Sequence, residues 1–229
     1  MEDAGAHPYY PSTAVLPGFV ANDMPVAEML PAFGAIVGAV VGGVYLLAAR
    51  SRLRLGPADR FAAAWFALCG FLHVAFEGYY IYNRAEIIGQ SALFAQLWKE
   101  YCLSDSRYLT SDVFTVTIET ITVFAWGPLS WLTVFAILSD APSIRHVLQI
   151  VVCTAHLYGV ILYYGTNWTE MQFHGVAYSR PEFLYFWVYY IGFNLPWAVV
   201  PFGLLYDSYR RINRAFTALQ EKEAASKGK

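Results

Sequence analysis

The sequence predicts an all-α membrane protein in which five transmembrane helices enclose an internal cavity. Three observations lead there. Hydrophobic residues make up 57% of the chain and charged residues only 14%, whereas a soluble domain carries about 25% charged residues, so too little charge is present to cover a water-facing surface. Five apolar runs reach the ~20 residues that a helix needs to cross a bilayer. Basic residues, finally, gather in those connections that an odd number of spans places on one side.

Residues 1–26 form a polar, Pro-rich N-terminal segment that begins acidic; no basic stretch leads into a short apolar core, so it does not read as a cleaved signal. The first span is expected over Ala27–Ala49. Its Gly34, Gly38 and Gly42 recur every fourth residue, which lets a neighbouring backbone come close. That neighbour is another helix of the bundle, the simpler reading, or a second copy of the chain. The second span runs from Phe61 to about Tyr82, the third over Val113–Leu138, the fourth from Ile144 to about Tyr164, and the fifth from Phe183 to about Tyr206. Residues 27–209 then form one transmembrane domain, and residues 210–229 a basic tail expected to start as an amphipathic helix and fray.

The Asn83–Asp112 connection is long for a loop without structure of its own. Leu93, Phe94, Leu97, Trp98 and Tyr101 have helical spacing, which predicts an interfacial helix with Trp98 and Tyr101 at headgroup depth. Arg50, Arg52, Arg54 and Arg60 follow the first span, and Arg210, Arg211 and Arg214 follow the fifth. Both clusters read as cytosolic, with the N-terminus on the lumenal side. A net charge of −2 with scattered basic residues excludes a nucleic-acid partner. The cysteines, Cys69, Cys102 and Cys153, are odd in number and without paired spacing, so neither disulfides nor a metal framework is expected. Aromatics are 17% of the chain, more than two interfacial belts require; several are expected to face the interior, as suits a flat apolar ligand.

Ionisable groups at membrane depth are costly, and each is a functional candidate. His73 and Glu77 lie four residues apart in the second span, on one helix face. Glu119 lies inside the third, sharing a face with Thr115 and Thr122, and Asn194 lies mid-way along the fifth, just before Pro196 and Trp197. A lone intramembrane histidine is usually a packing residue and a lone asparagine usually interhelical glue. Two glutamates with a histidine point instead to a joint site, because no Lys or Arg stands near mid-span to neutralise them. At least one of Glu77 and Glu119 is expected to keep its proton. A neutral acid, a base and aromatic faces describe an isomerase that moves a double bond through a cation, with no redox cofactor and no metal. His156 in the fourth span is read as core packing, and His174 as a solvent-facing loop residue. No phosphate-binding, dinucleotide or zincin motif occurs.

Several blocks resemble the emopamil-binding protein family, bearers of the EXPERA domain. They are Cys69–Gly78 (CGFLHVAFEG), Leu97–Tyr101 (LWKEY) followed by Asp105–Tyr108 (DSRY), Phe114–Thr122 (FTVTIETIT) continuing to Trp126–Ser130 (WGPLS), and Leu184–Trp187 with Asn194–Trp197. The resemblance runs over nearly the whole chain, from His7-Pro8-Tyr9 to the basic tail. His156, Val160 and Pro196 depart from the pattern. The resemblance implies a five-span, dimeric enzyme of the endoplasmic reticulum membrane that converts Δ8-sterols to Δ7-sterols in sterol biosynthesis. It also implies binding of cationic amphiphilic amines that mimic a carbocation. His73, Glu77, Glu119 and Asn194 match the family's catalytic positions. Thr122, Trp197, Tyr101, Asp105, Arg107 and Tyr108 match its substrate-binding and supporting ones. A non-catalytic sterol or amine binder of the sigma-2 receptor type is the alternative; the intact His73–Glu77 and Glu119–Thr122 blocks favour the enzyme. A proton-coupled transporter is a third reading, against which stands the lack of an inverted repeat.

Overall fold

The computed structural model describes residues 7–227, and the rest of the two predicted terminal segments, residues 1–6 and 228–229, lies outside them. Five helices are long and apolar enough to cross a membrane, and no strand occurs among the described residues. They are α1 (Val26–Arg50), α2 (Pro57–Asn83), α4 (Val113–Leu138), α5 (Pro142–His174) and α6 (Leu184–Lys227), with a short α3 (Leu93–Tyr101) between α2 and α4. Neighbours pack in the order α1, α2, α4, α5, α6.

Local chemistry explains where each helix starts and stops. Pro57 opens α2, where a missing N–H costs nothing, and the Asp59 carboxylate accepts from the Gly56 N–H at 3.1 Å. Asp112 caps α4 by accepting from the Thr115 N–H at 2.9 Å. Gly175, at φ 67°, closes α5 in the left-handed conformation that ends many helices. That stop lies about three turns beyond the expected end of the fourth span, so Met171–His174 is helical. The His174 side chain, 66% exposed, still faces outward as expected. The tail does not fray: α6 runs unbroken to Lys227, exposed over its last turns.

Three spans contain π-helical stretches: Leu72–Glu77 in α2, Thr122–Trp126 in α4 and Leu184–Gly192 in α6. A π-turn inserts a residue into the helical ladder and is frequent at functional sites. The first two face each other. Their approach depends on Gly127, where an added Cβ would lie 2.7 Å from Val74 Cγ2 and 3.1 Å from His73 Cβ.

Two buried clusters fill the bundle. One, at the end where α2 stops and α4 begins, is dominated by rings: Tyr80, Trp98, Tyr108, Tyr163 and Tyr190. Phe76 and Trp98 stack in it at 4.7 Å with an 11° interplanar angle. The aromatic surplus is thus spent largely on ring-to-ring packing. The other cluster, with Ala62, Ala63, Phe66, Cys69, Cys153 and Leu204, lies toward the opposite end. There Asp59 accepts from Arg145 at 2.7 Å and Arg211 at 2.8 Å, joining α2, α5 and α6.

Two expectations need correction. Trp98, only 3% exposed, does not face headgroups, because α3 folds inward against α2 and is covered by the N-terminal segment. There Gln96 Oε1 accepts from the Asp23 and Met24 N–H groups, both at 3.0 Å, and Lys99 Nζ donates to the Val20 carbonyl at 2.8 Å. Burial pulls the Lys99 ammonium below its usual range, against the opposing pull of Asp23. The α1 glycines do not pack in the bundle either, since a Cβ at Gly34, Gly38 or Gly42 would meet nothing. Two open concavities, about 290 and 170 Å³, sit at the α6 basic end and beside Arg145, and no predicted site residue lines either.

Candidate active site

The π-turn of α2 places His73 and Glu77 so that His73 Nδ1 lies 2.9 and 2.8 Å from the two Glu77 carboxyl oxygens. The other ring nitrogen, Nε2, lies 3.0 Å from His156 Nε2 on α5. His73 is 4% and His156 6% exposed, so the chain Glu77–His73–His156 crosses from α2 to α5 inside the bundle. His156 is buried, as core packing requires, and its ring also meets that of His73. The signal for it was in the sequence, a histidine amid an apolar run as anomalous as His73, but only the fold aims the two rings at each other.

Glu119, 9% exposed on α4, brings its carboxyl within hydrogen-bonding reach of Glu77. The two acids are neighbours. Two carboxyl groups this close in a dry interior cannot both carry charge without severe repulsion, so a proton is held between them or on one of them. Tyr108 donates its hydroxyl to Glu119 Oε1 at 2.9 Å. Neither Thr122 nor Asn194 holds Glu119. Thr122 Oγ1 donates to Ile118 of its own helix at 2.9 Å. Asn194 Nδ2 donates to the Tyr101 hydroxyl at 3.1 Å and to the Tyr190 carbonyl at 2.8 Å. Asn194 thus acts on Tyr101, whose ring lies 5.7 Å from that of Tyr108. Burial raises the phenol pKa of both Tyr101 and Tyr108, so both stay protonated donors.

Asp105 and Arg107 sit behind this wall. Arg107 Nη2 donates to Asp105 Oδ2 at 2.6 Å, its Nη1 donates to Thr166 Oγ1 at 3.0 Å, and its guanidinium lies 5.1 Å from the Tyr163 ring centroid. Burial works against the Arg107 charge, but Asp105 outweighs it and holds the guanidinium more firmly protonated than usual. These polar atoms are occupied with one another, which makes the pair a brace for the tyrosines. Trp197 packs on Trp65 at 5.4 Å, in the cluster that holds Cys69, and its Nε1 has no partner among the described residues.

The arrangement offers a transferable proton, a base linked to it, and tyrosine donors, all in an apolar surround. That is equipment for moving a proton to and from carbon. The EXPERA (EXPanded EBP superfamily) family model matches residues 93–208. The guinea pig (Cavia porcellus) protein named 3-beta-hydroxysteroid-Delta(8),Delta(7)-isomerase is 39% identical over 224 residues, covering 97% of this chain and 96% of its own. A rice (Oryza sativa subsp. japonica) protein named as a probable enzyme of the same kind is 36% identical, covering 92% and 94%. A protoglabretal synthase of Ailanthus altissima is 32% identical, covering 95% and 97%.

Proposed function

The chain belongs to the EXPERA family, the expanded EBP superfamily, and from that premise we propose that it is a sterol Δ8–Δ7 isomerase of sterol biosynthesis. The observation that carries this reading is the buried chain Glu77–His73–His156 with Glu119 beside it. A proton from the Glu77–His73 pair adds to C9 of the Δ8-alkene, leaving a tertiary cation at C8. A proton then leaves C7 to the same pair, and the electron pair of that C–H bond forms the Δ7 double bond. One proton enters and one departs, so no redox cofactor takes part. Glu119, held by Tyr108, supplies counter-charge to the cation, and Trp197 supplies a π face. Asn194 and Tyr101 position Tyr108, while Asp105 and Arg107 brace the wall.

The substrate enters between the spans from the lipid. Cationic amphiphilic amines bind in place of the cation. The enzyme sits in the endoplasmic reticulum membrane, N-terminus lumenal and basic tail cytosolic. A homodimer forms through the open glycine face of α1. Purified protein in detergent, without nucleotide, should convert a Δ8-sterol to its Δ7 isomer and, in deuterated water, place deuterium at C9. An absolute requirement for a reduced nicotinamide cofactor overturns the reading.

A further inference from the structure

Cys69 is buried on α2 beside the site, and the isomerisation gives it nothing to do. Its Sγ lies, with a ring nitrogen each of His73 and His156, in a group whose ligand atoms are all within 4.8 Å of one another. We propose that Cys69 Sγ, His73 Nε2 and His156 Nε2 form a binding site for a soft divalent cation of the zinc or cobalt type, and that the bound cation stops isomerisation by taking His73 out of proton transfer.

Four observations support it. Cys69 and His73 are four residues apart on one helix, the spacing that lets two ligands on a helix share a metal, and His156 arrives from the facing helix. Zinc–nitrogen bonds of about 2.0–2.1 Å in a tetrahedron set two ligand nitrogens about 3.3 Å apart. The two Nε2 atoms stand at 3.0 Å and need a few tenths of an ångström of widening, while Cys69 Sγ, within 4.8 Å of them, closes to the ~3.5 Å that a zinc–sulfur bond of about 2.3 Å sets. Glu77 already holds His73 Nδ1, the carboxylate–histidine arrangement that fixes the tautomer and presents Nε2 as the ligand. His156 Nδ1, buried and without a partner among the described residues, is free to take the proton that Nε2 gives up when it coordinates.

The balance is simple. Cys69 loses its thiol proton to water, the His156 proton moves from one nitrogen to the other, and nothing is oxidised. The thiolate and the Glu77 carboxylate together neutralise a divalent ion, which lets it rest in an apolar interior. Three protein ligands leave a fourth position for water. Binding stands independently of the sterol reaction, whereas inhibition rests on the role proposed above for His73.

The full chain, purified in detergent and stripped with chelator, is titrated with cobalt. One equivalent should give the visible bands of tetrahedral cobalt and a near-ultraviolet sulfur-to-cobalt charge-transfer band. Cys69→Ala and Cys69→Ser should each lose the near-ultraviolet band, Cys153→Ala should keep it, and His156→Gln should weaken cobalt binding at least tenfold. Zinc should displace cobalt and abolish sterol conversion. Cys69→Ala, measured against its own zinc-free rate, should need at least tenfold more zinc. Absence of the charge-transfer band, or its persistence in both Cys69 variants, overturns the site. Cobalt binding without zinc inhibition overturns the inhibitory half. A metal-free protein that binds cobalt as described yet isomerises no sterol refutes the proposed activity and leaves the metal site standing.

Discussion

Replacing Tyr108 by phenylalanine removes one hydrogen bond and little else. The Tyr108 ring is held by Trp98 at 4.9 Å, Tyr80 at 5.3 Å and Tyr101 at 5.7 Å, and phenylalanine keeps all three contacts. What is lost is the 2.9 Å bond to Glu119 Oε1. A hydrogen bond to a charged group contributes about 1.5–3 kcal/mol. If Glu119 carries its charge chiefly while the cation exists, most of that loss falls on the transition state, and 1.36 kcal/mol is a factor of ten in rate. Turnover of Tyr108→Phe should therefore fall about 10- to 150-fold, with KM for the neutral sterol nearly unchanged. Tyr101→Phe, one residue removed from Glu119, should lose clearly less. The assay is conversion of a Δ8-sterol to its Δ7 isomer by purified protein, with size-exclusion profiles confirming that each variant is folded. A folded Tyr108→Phe protein within twofold of the parent rate would show that Tyr108 does not serve Glu119 in the reaction.

Glu119→Gln should weaken binding of a cationic amine at least tenfold while changing neutral sterol binding much less; equal amine affinity removes its role as counter-charge. Gly127→Ala drives a methyl group into Val74 and the His73 Cβ. It should cost about 1–3 kcal/mol of stability and lower turnover further than that loss explains; full activity would mean the two π-turns tolerate separation. Asp105→Ala leaves the Arg107 charge buried without its partner and should cost about 3–5 kcal/mol, read as a fall in Tm, which a change of a degree or so would contradict. Glu100 tests a pH effect. Burial raises its pKa, against a hydrogen bond from Tyr189 and the pull of Arg180. The unfolded chain therefore ionises first, and stability declines as pH rises above the ordinary glutamate value toward the raised one. Glu100→Gln should raise Tm at pH 7 and lose that advantage near pH 4; an advantage independent of pH would assign it to something other than ionisation.

Much of this protein is written in its sequence. Five spans follow from five apolar runs, because a backbone in lipid must satisfy its own hydrogen bonds and only long helices do so. His73, Glu77 and Glu119 stand out for the matching reason, that an ionisable group at membrane depth is too costly to keep without use. Helix periodicity even placed His73 and Glu77 on one face, and the structure joins them at 2.8 Å. What lies between helices was not legible in this way. Periodicity says which residues share a face, not which face meets which neighbour. The pairing of His73 with His156, the seating of Glu119 beside Glu77, and the assignment of Tyr108 rather than Thr122 or Asn194 to Glu119 all depend on the rotation of α2, α4 and α5 about their axes. Two facing π-turns bear on the rotation of α2 and α4, and a π-turn leaves no mark in hydrophobic spacing, since one extra residue in the ladder changes direction without changing polarity. Trp98 teaches the same lesson: an amphipathic segment has an apolar face wherever it lies, and only the N-terminal segment folded across α3 decided that this face looks into the protein and not out to lipid.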